Sequence, residues 1–196
     1  VKSKDYFVLT SNVDGVFERA GFDPKRIYTP QGDFVNLQCA KPCTRQVFPS
    51  RPFVDKALGS IDAGTQRITD PSALPKCPNC GGAVTEPSAC SNSSNLNRRS
   101  NDECSRRRLV RMARVRFPVV TPAFPCRFIH DPYEAQSLAL VKWLEATQSS
   151  DKKLAVVEIG AGFNTPVVTR FPCESAARWH TNGRFVRINK DYSDVS

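Results

Sequence analysis

Four cysteines carry the most specific chemistry in this sequence. Cys39 and Cys43 have three residues between them in the spacing Cys-x3-Cys, Cys77 and Cys80 follow as Cys-x2-Cys, and 33 residues lie between the pairs. Four thiolates so spaced can close a tetrahedron around zinc, and a site filled by protein ligands leaves no open position, so the metal is expected to be structural. Cys90, Cys104, Cys126 and Cys173 show no such pairing and read as plain buried or surface thiols. A second set of polar residues follows two short apolar runs: Thr10, Ser11, Asn12 and Asp14 after the first, then Pro30, Gln31 and Gly32 after the second. A third lies in GAGFNTP, where Gly160 and Gly162 would let backbone approach a ligand and Asn164 and Thr165 could offer polar contacts. Taken alone, each of these loops reads equally well as an ordinary turn.

The elements that must position these residues alternate in type. Residues 5–38 read as a strand, a short helix around Phe17 to Ala20, a turn at Gly21-Phe22-Asp23-Pro24, a strand from Arg26 to Thr29 and an extended piece from Asp33 to Leu37. Residues 39–87 change to Pro, Cys and Gly punctuation with a helix at Arg51 to Leu58, which suits a small metal-held module. Asp131-Pro132-Tyr133-Glu134 reads as an N-cap opening a helix to about Ala146, with Leu138, Val141 and Leu144 on its apolar face. LAVVEIG, Leu154 to Gly160, is a continuous apolar run expected in a parallel strand covered on both faces. A last strand, Arg184 to Ile188, ends at Asn189. Helix, buried strand, glycine loop and strand again are the second half of a doubly wound sheet, whose ligands sit beyond the carboxyl ends of the strands. Glu158 is expected to cap a polar pocket or edge, and His130 and His180 to be solvated.

Composition excludes several classes of function. The chain of 196 residues is 40% hydrophobic and 24% charged, an ordinary globular balance. No apolar run approaches the roughly 20 residues that span a bilayer, and no signal pattern opens the chain, so a cytoplasmic protein without membrane partners is expected. The formal charge of +9 is concentrated. Residues 88–127 hold nine Arg against Asp102 and Glu103, and without interleaved aromatics this tract argues against a nucleic-acid partner. The segment itself reads as a poorly ordered insert or a mis-spliced stretch.

In combination, TSNVDG, the Gln31 loop, the two Cys pairs, GAGFNTP and the strand ending in Asn189 resemble the sirtuins, an NAD-consuming family with a zinc ribbon. The resemblance runs in order over residues 5–87 and 150–192. YFVLTSNVDGVFERAGF, IYTPQGDFVNLQC, CPNCGG and VEIGAGFNTP are most similar to the macrodomain-linked class M sirtuins, which are associated with protein ADP-ribosylation.

The resemblance implies an α/β fold with a partial Rossmann-like, sirtuin-type parallel sheet and a small inserted zinc-ribbon module. Residues 1–38 and 128–196 would form the NAD-binding domain, 39–87 the zinc module and 88–127 the insert. The family's first strand and glycine-rich loop have no match here and would lie before Val1, so an N-terminally incomplete chain is expected. The resemblance further implies NAD and structural zinc as cofactors, an acceptor protein as substrate and a macrodomain protein as partner. Asn12, Asp14 and Gln31 would be catalytic, and Thr10, Ser11, Gly160, Gly162, Asn164, Thr165 and Asn189 would bind the cofactor. In ordinary sirtuins the position of Gln31 is a His that acts as general base. Gln has no titrating group and cannot take that proton, though it can hydrogen-bond a ribose hydroxyl, which favours ADP-ribosyl transfer over deacylation. Two readings stand beside this one: an NAD-dependent lysine deacylase, and an inactive zinc-ribbon binding module.

Overall fold

The computed structural model describes residues 3–87, 128–163 and 166–194. The Arg-rich segment and the expected ligand residues Asn164 and Thr165 lie outside the described residues, as do Cys90, Cys104 and Cys126.

Strand β1 (Val8–Leu9) and strand β2 (Ile27–Tyr28) are parallel, with Val8 opposite Ile27 and Leu9 opposite Tyr28. Parallel neighbours need a crossover, and here it is short: helix α1 (Val16–Arg19), then a turn at Gly21, whose φ of 80° suits glycine, then a 3-10 turn at Pro24–Arg26. Asp23 caps that turn by accepting from the Lys25 N–H at 2.9 Å. Phe22 meets Tyr6 and Phe17 edge-to-face at 5.3 and 5.4 Å, which closes the crossover over its own small core.

The next strands run antiparallel. β3 (Asn36–Cys39) lies between β4 (Val47–Pro49) and β5 (Val84–Thr85), and helix α2 (Arg51–Leu58) follows β4 over the residues expected. The extended piece read as Asp33 to Leu37 therefore begins later and joins the sheet of the cysteine module. Fully buried Gln38, on β3, accepts from the Ile129 N–H at 3.1 Å and so ties this module to the segment ahead of the long helix.

That helix, α3, spans Asp131–Ser149. Asp131 is its first residue rather than its cap, because its carboxylate is engaged by the Arg45 guanidinium at 2.6 and 2.7 Å. The helix runs past Ala146, and the Thr147 and Ser149 hydroxyls bond back to the carbonyls of Trp143 and Glu145 along its last turn. The expected apolar face is also rotated. Tyr133, Ser137, Leu144 and Thr147 are buried, whereas Leu138 is 40% exposed. The face is chosen by the partners of α3: β2, where Gln136 accepts from the Thr29 N–H at 3.0 Å, and Phe7, whose ring lies 5.9 Å from that of Trp143. Trp143 Nε1 donates to Asp5 at 2.8 Å and Lys152 approaches the same carboxylate at 3.5 Å, so the chain enters β1 and leaves α3 at one place.

β6 (Leu154–Ile159) and β7 (Gly183–Ile188) are parallel over six residues each, and helix α4 (Arg170–Trp179) connects them. Gly183 is required where α4 turns into β7, because a Cβ there would stand 2.1 Å from the Ala177 carbonyl oxygen. Burial alternates along both strands. One face, with Leu154, Val156 and Glu158, packs under α4, while Val157 and Ile159 on the other are 55% and 73% exposed. The expectation of cover on both faces therefore does not hold among the described residues, where α4 covers a single face.

The architecture is thus mixed α/β, with short parallel sheets and a cysteine cluster. Among the described residues the parallel strands form two separate pairs and not one sheet. None of the described helices is long and apolar enough to cross a membrane.

Candidate functional site

The cysteine cluster follows directly from the second sheet. Cys39 ends β3, which pairs Cys39 with Val84 of β5, and the Cys77-Cys80 turn is closed by the Gly81 N–H on the Cys77 carbonyl at 2.8 Å and the Cys77 N–H on the Gly82 carbonyl at 2.7 Å. Gly81, with φ of 70°, lets the chain reverse there. The four sulfurs lie within 4.8 Å of one another, with Cys39 to Cys80 at 3.7 Å and Cys43 to Cys77 at 3.6 Å. A regular tetrahedron with Zn–S bonds of about 2.3 Å has edges of about 3.8 Å. The residues therefore fit a four-thiolate metal such as zinc.

Their protonation is uneven. At Cys43 the Asn79 amide, 3.2 Å away, favours the thiolate, but burial and the hydrogen bonds from Cys80, Cys77 and Cys39 outweigh it and push the thiol up to about 12. Burial would raise Cys77 too, yet the backbone N–H groups of Cys80 and Asn79 point at its sulfur and bring it down to about 7. A knuckle already aimed at a thiolate is poised for a cation.

The two polar loops expected to be catalytic emerge side by side. The parallel register continues one step beyond the strands, with the Thr10 N–H on the Tyr28 carbonyl at 3.1 Å. The loop of Asn12 and Asp14 and the loop of Gln31 thus leave the same end of the β1–β2 pair. They are joined directly, because the Phe34 N–H donates to the Val13 carbonyl at 2.9 Å. Asn12 and Asp14 are exposed, and Gln31 and Ser11 half-buried. Thr10 Oγ1 accepts from the Asn12 N–H at 3.0 Å, and Asp14 accepts from the Val16 N–H at 3.1 Å, so both side chains also shape the loop.

Gly32 is fixed by its surroundings. Its φ is 85°, and a Cβ would lie 2.7 Å from Pro87 Cβ, 3.3 Å from the Phe128 ring and 3.4 Å from the Tyr133 hydroxyl. Tyr133 and Phe128 stack at 5.5 Å as a buried floor beneath the Gln31-Gly32-Asp33 turn. Burial, with the Asp33 charge adding to it, holds the Tyr133 hydroxyl well above its ordinary titration range. Neither floor residue was singled out in the sequence as part of a site, since only tertiary contact brings residues 128 and 133 under residue 32.

A second group gathers at the carboxyl end of β6. The Gly160 N–H donates to the Ile188 carbonyl at 2.9 Å and Asn189 Nδ2 to the Ala161 carbonyl at 2.9 Å, so the glycine loop and the strand-end Asn are brought together. Asn189 Oδ1 also accepts from the N–H groups of Asp191 and Tyr192, both at 3.0 Å. A Cβ at Gly160 or Gly162 would meet nothing within 4 Å among the described residues. Internal packing therefore does not account for a glycine at position 162, and the loop backbone is open to approach. No hydrogen bond or ion pair among the described residues links this group to the Asn12 and Gln31 loops.

Two expectations are corrected beneath this site. Glu158 is not at a pocket edge but is buried and ion-paired with Arg187, its register partner on β7. His180 is buried rather than solvated, held at the α4–β7 turn by the Asn182 N–H on its Nδ1 at 3.2 Å. His130 is half-buried and packs edge-to-face on Phe128 at 4.7 Å.

No protein-family model matches the chain. A Fusarium oxysporum f. sp. cubense protein named as a probable bifunctional ADP-ribose hydrolase/ADP-ribosyltransferase is 31% identical over 172 residues, which is 87% of this chain and 23% of that protein. A Staphylococcus aureus protein named as a protein ADP-ribosyltransferase is 23% identical over 190 residues, 97% of this chain and 49% of that protein. The chain spans about half or less of the length of these curated relatives.

Proposed function

We propose that the chain is part of a sirtuin-type protein ADP-ribosyltransferase that consumes NAD, releases nicotinamide and transfers ADP-ribose to an acceptor protein. The observation that carries this reading is the junction of the Asn12 and Gln31 loops through the Phe34 to Val13 hydrogen bond at 2.9 Å, with an amide and not an imidazole at position 31. The names of both relatives agree with its ADP-ribosyltransferase part.

In the proposed reaction the glycosidic C–N bond breaks and its electron pair leaves with nicotinamide. A nucleophile of the acceptor then forms the new bond to the anomeric carbon and loses its proton to solvent. Asn12 orients the nicotinamide ribose or a water beside it, Asp14 supports that loop, and Gln31 hydrogen-bonds a ribose hydroxyl. Thr10 and Ser11, with Gly160, Gly162 and Asn189, hold the rest of the dinucleotide, and Asn164 and Thr165 belong to the same set. Zinc on Cys39, Cys43, Cys77 and Cys80 is structural, because a four-thiolate site has no position to spare. A macrodomain protein is proposed as a partner on the sequence resemblance alone.

The test is transfer of labelled ADP-ribose from NAD to acceptor proteins by the full natural protein, with acetyl-lysine peptides turned over at background. Gln31→His should raise deacylation by about 100-fold or more, the scale of a restored general base. Asn12→Ala should depress transfer and deacylation alike, since it acts at nicotinamide release. Efficient deacylation by the natural protein would replace this reading with the lysine-deacylase one.

A further inference from the structure

Two carboxylates and two guanidinium groups sit inside the unit built from β6, α4 and β7: Glu158, Glu174, Arg170 and Arg187. Two are cationic and two anionic, so the set is neutral. The Arg187 side chain is fully buried and serves both carboxylates, pairing with Glu158 across the strands and with Glu174 on the helix, and it also donates to the Asp194 carbonyl. Arg170 has another task. It is the first residue of α4, where the positive end of the helix opposes a cation, and its side chain is only 6% exposed. Its nearest carboxylate, Glu174, is 3.7 Å away, beyond good hydrogen-bond distance.

The donors of Arg170 go to main-chain carbonyls instead. Nη1 reaches Ala161 at 3.2 Å and Nη2 reaches Asp194 at 3.4 Å, while the guanidinium carbon lies 4.2 Å from the centre of the Phe163 ring. The Ala161 carbonyl also accepts from Asn189, and Phe163 meets Tyr192 edge-to-face at 4.9 Å. One buried guanidinium thus touches both ends of the stretch from Ala161 to Phe163 and the segment after β7. At Gly160 and Gly162 of the same loop, an added Cβ would meet nothing within 4 Å among the described residues.

We infer that Arg170 is a positioning residue that holds the glycine loop in one conformation from beneath and leaves its outer surface preorganised for a ligand. A loop ordered in advance loses less freedom when a ligand docks on it. That the ligand is NAD rests on the function proposed above; that Arg170 orders the loop does not. Lysine keeps the charge beside Glu174 but offers no planar fork to reach two carbonyls and a ring face, so it should not substitute.

The experiment is hydrogen–deuterium exchange on the zinc-loaded full natural protein, comparing wild type with Arg170→Gln, Arg170→Lys and Val168→Ala, a buried neighbour that serves as a control for general destabilisation. Exchange in 160–163 should rise by about tenfold in both Arg170 variants, with 154–157 unchanged, and Arg170→Lys should melt close to wild type. The accompanying NAD titration should weaken by about tenfold, the population effect of a loop seldom in its competent form. Should Arg170→Gln fail to fold, the lysine variant carries the test. Unchanged loop exchange in the foldable Arg170 variants, or equal loosening by Val168→Ala, would overturn the assignment. So would a loosened loop with unaltered NAD affinity. A loosened loop in a wild-type background that never binds NAD leaves the assignment standing and removes the proposed function.

Discussion

Replacing Arg187 by Met should expose how the β6–β7 unit is held together. In the wild type, Arg187 and Arg170 balance Glu158 and Glu174; the Arg187 side chain is 0% exposed and that of Glu158 2%. Hydrogen bonding from Glu158, partly opposed by burial, raises the Arg187 pKa, so the guanidinium stays charged. Arg187→Met leaves one cation against two carboxylates with no water to solvate them. Breaking a buried pair in this way costs about 3–5 kcal/mol. With a urea slope of about 2 kcal/mol/M, that moves the unfolding midpoint down by roughly 1.5–2.5 M. Adding Glu158→Leu restores neutrality, one cation beside one anion, Arg170 with Glu174. The double variant should therefore recover most of the loss, because a well-packed apolar pair can replace a buried ion pair at little cost. Urea titrations followed by circular dichroism, with zinc present throughout, measure both steps. If Arg187→Met loses less than about 1 kcal/mol, or the double variant is no more stable than the single, charge balance is not what stabilises this layer.

Further outcomes follow from the site geometry. Purified protein should carry one zinc per chain and Cys77→Ser should lose it, by metal analysis. Because Cys43 titrates at about 12 and must shed its proton to become a ligand, zinc affinity of the metal-free protein should rise about tenfold per pH unit for that proton. Cys77, at about 7, adds a further proton to the exchange only below that pH, so the slope should steepen on acidification; competition with a chelator across pH 6–8 reads this. Gly32→Ala should destabilise by about 2–5 kcal/mol, from the strained φ together with the 2.7 Å approach to Pro87. Gly162→Ala, with open space around it, should leave the melting temperature unchanged and provides the contrast.

Much of the candidate site was legible because its signals are local. Cys-x3-Cys and Cys-x2-Cys with Gly81 and Gly82 describe turns that present sulfur within a few residues, so the metal cluster needed only the two turns to meet. Strands ending at Leu9, Tyr28 and Ile159 were visible as apolar runs stopped by polar or glycine residues, and helix α2 occupies the expected residues from Arg51 to Leu58. What periodicity could not say is which side of an element finds a partner. Leu138 and Leu144 look alike in the sequence, yet β2 and Phe7 lie against one side of α3 and leave Leu138 outside. Val157 and Ile159 belong to a run that reads as doubly covered, but α4 crosses on the other face.

The same division holds for the polar residues. The amide at position 31, the loop of Asn12 and the four thiols are properties of the sequence, fixed by residue type and short spacing. The neutralisation of Glu158 by Arg187, 29 residues on, and the hold of Arg170 on Ala161 depend on the parallel register of β6 with β7 and on the turn of α4 above them. The burial of His180 depends on the tight α4–β7 turn at Gly183. A charged side chain acquires its role from whatever replaces water around it, and that replacement exists only once distant strands and helices have packed.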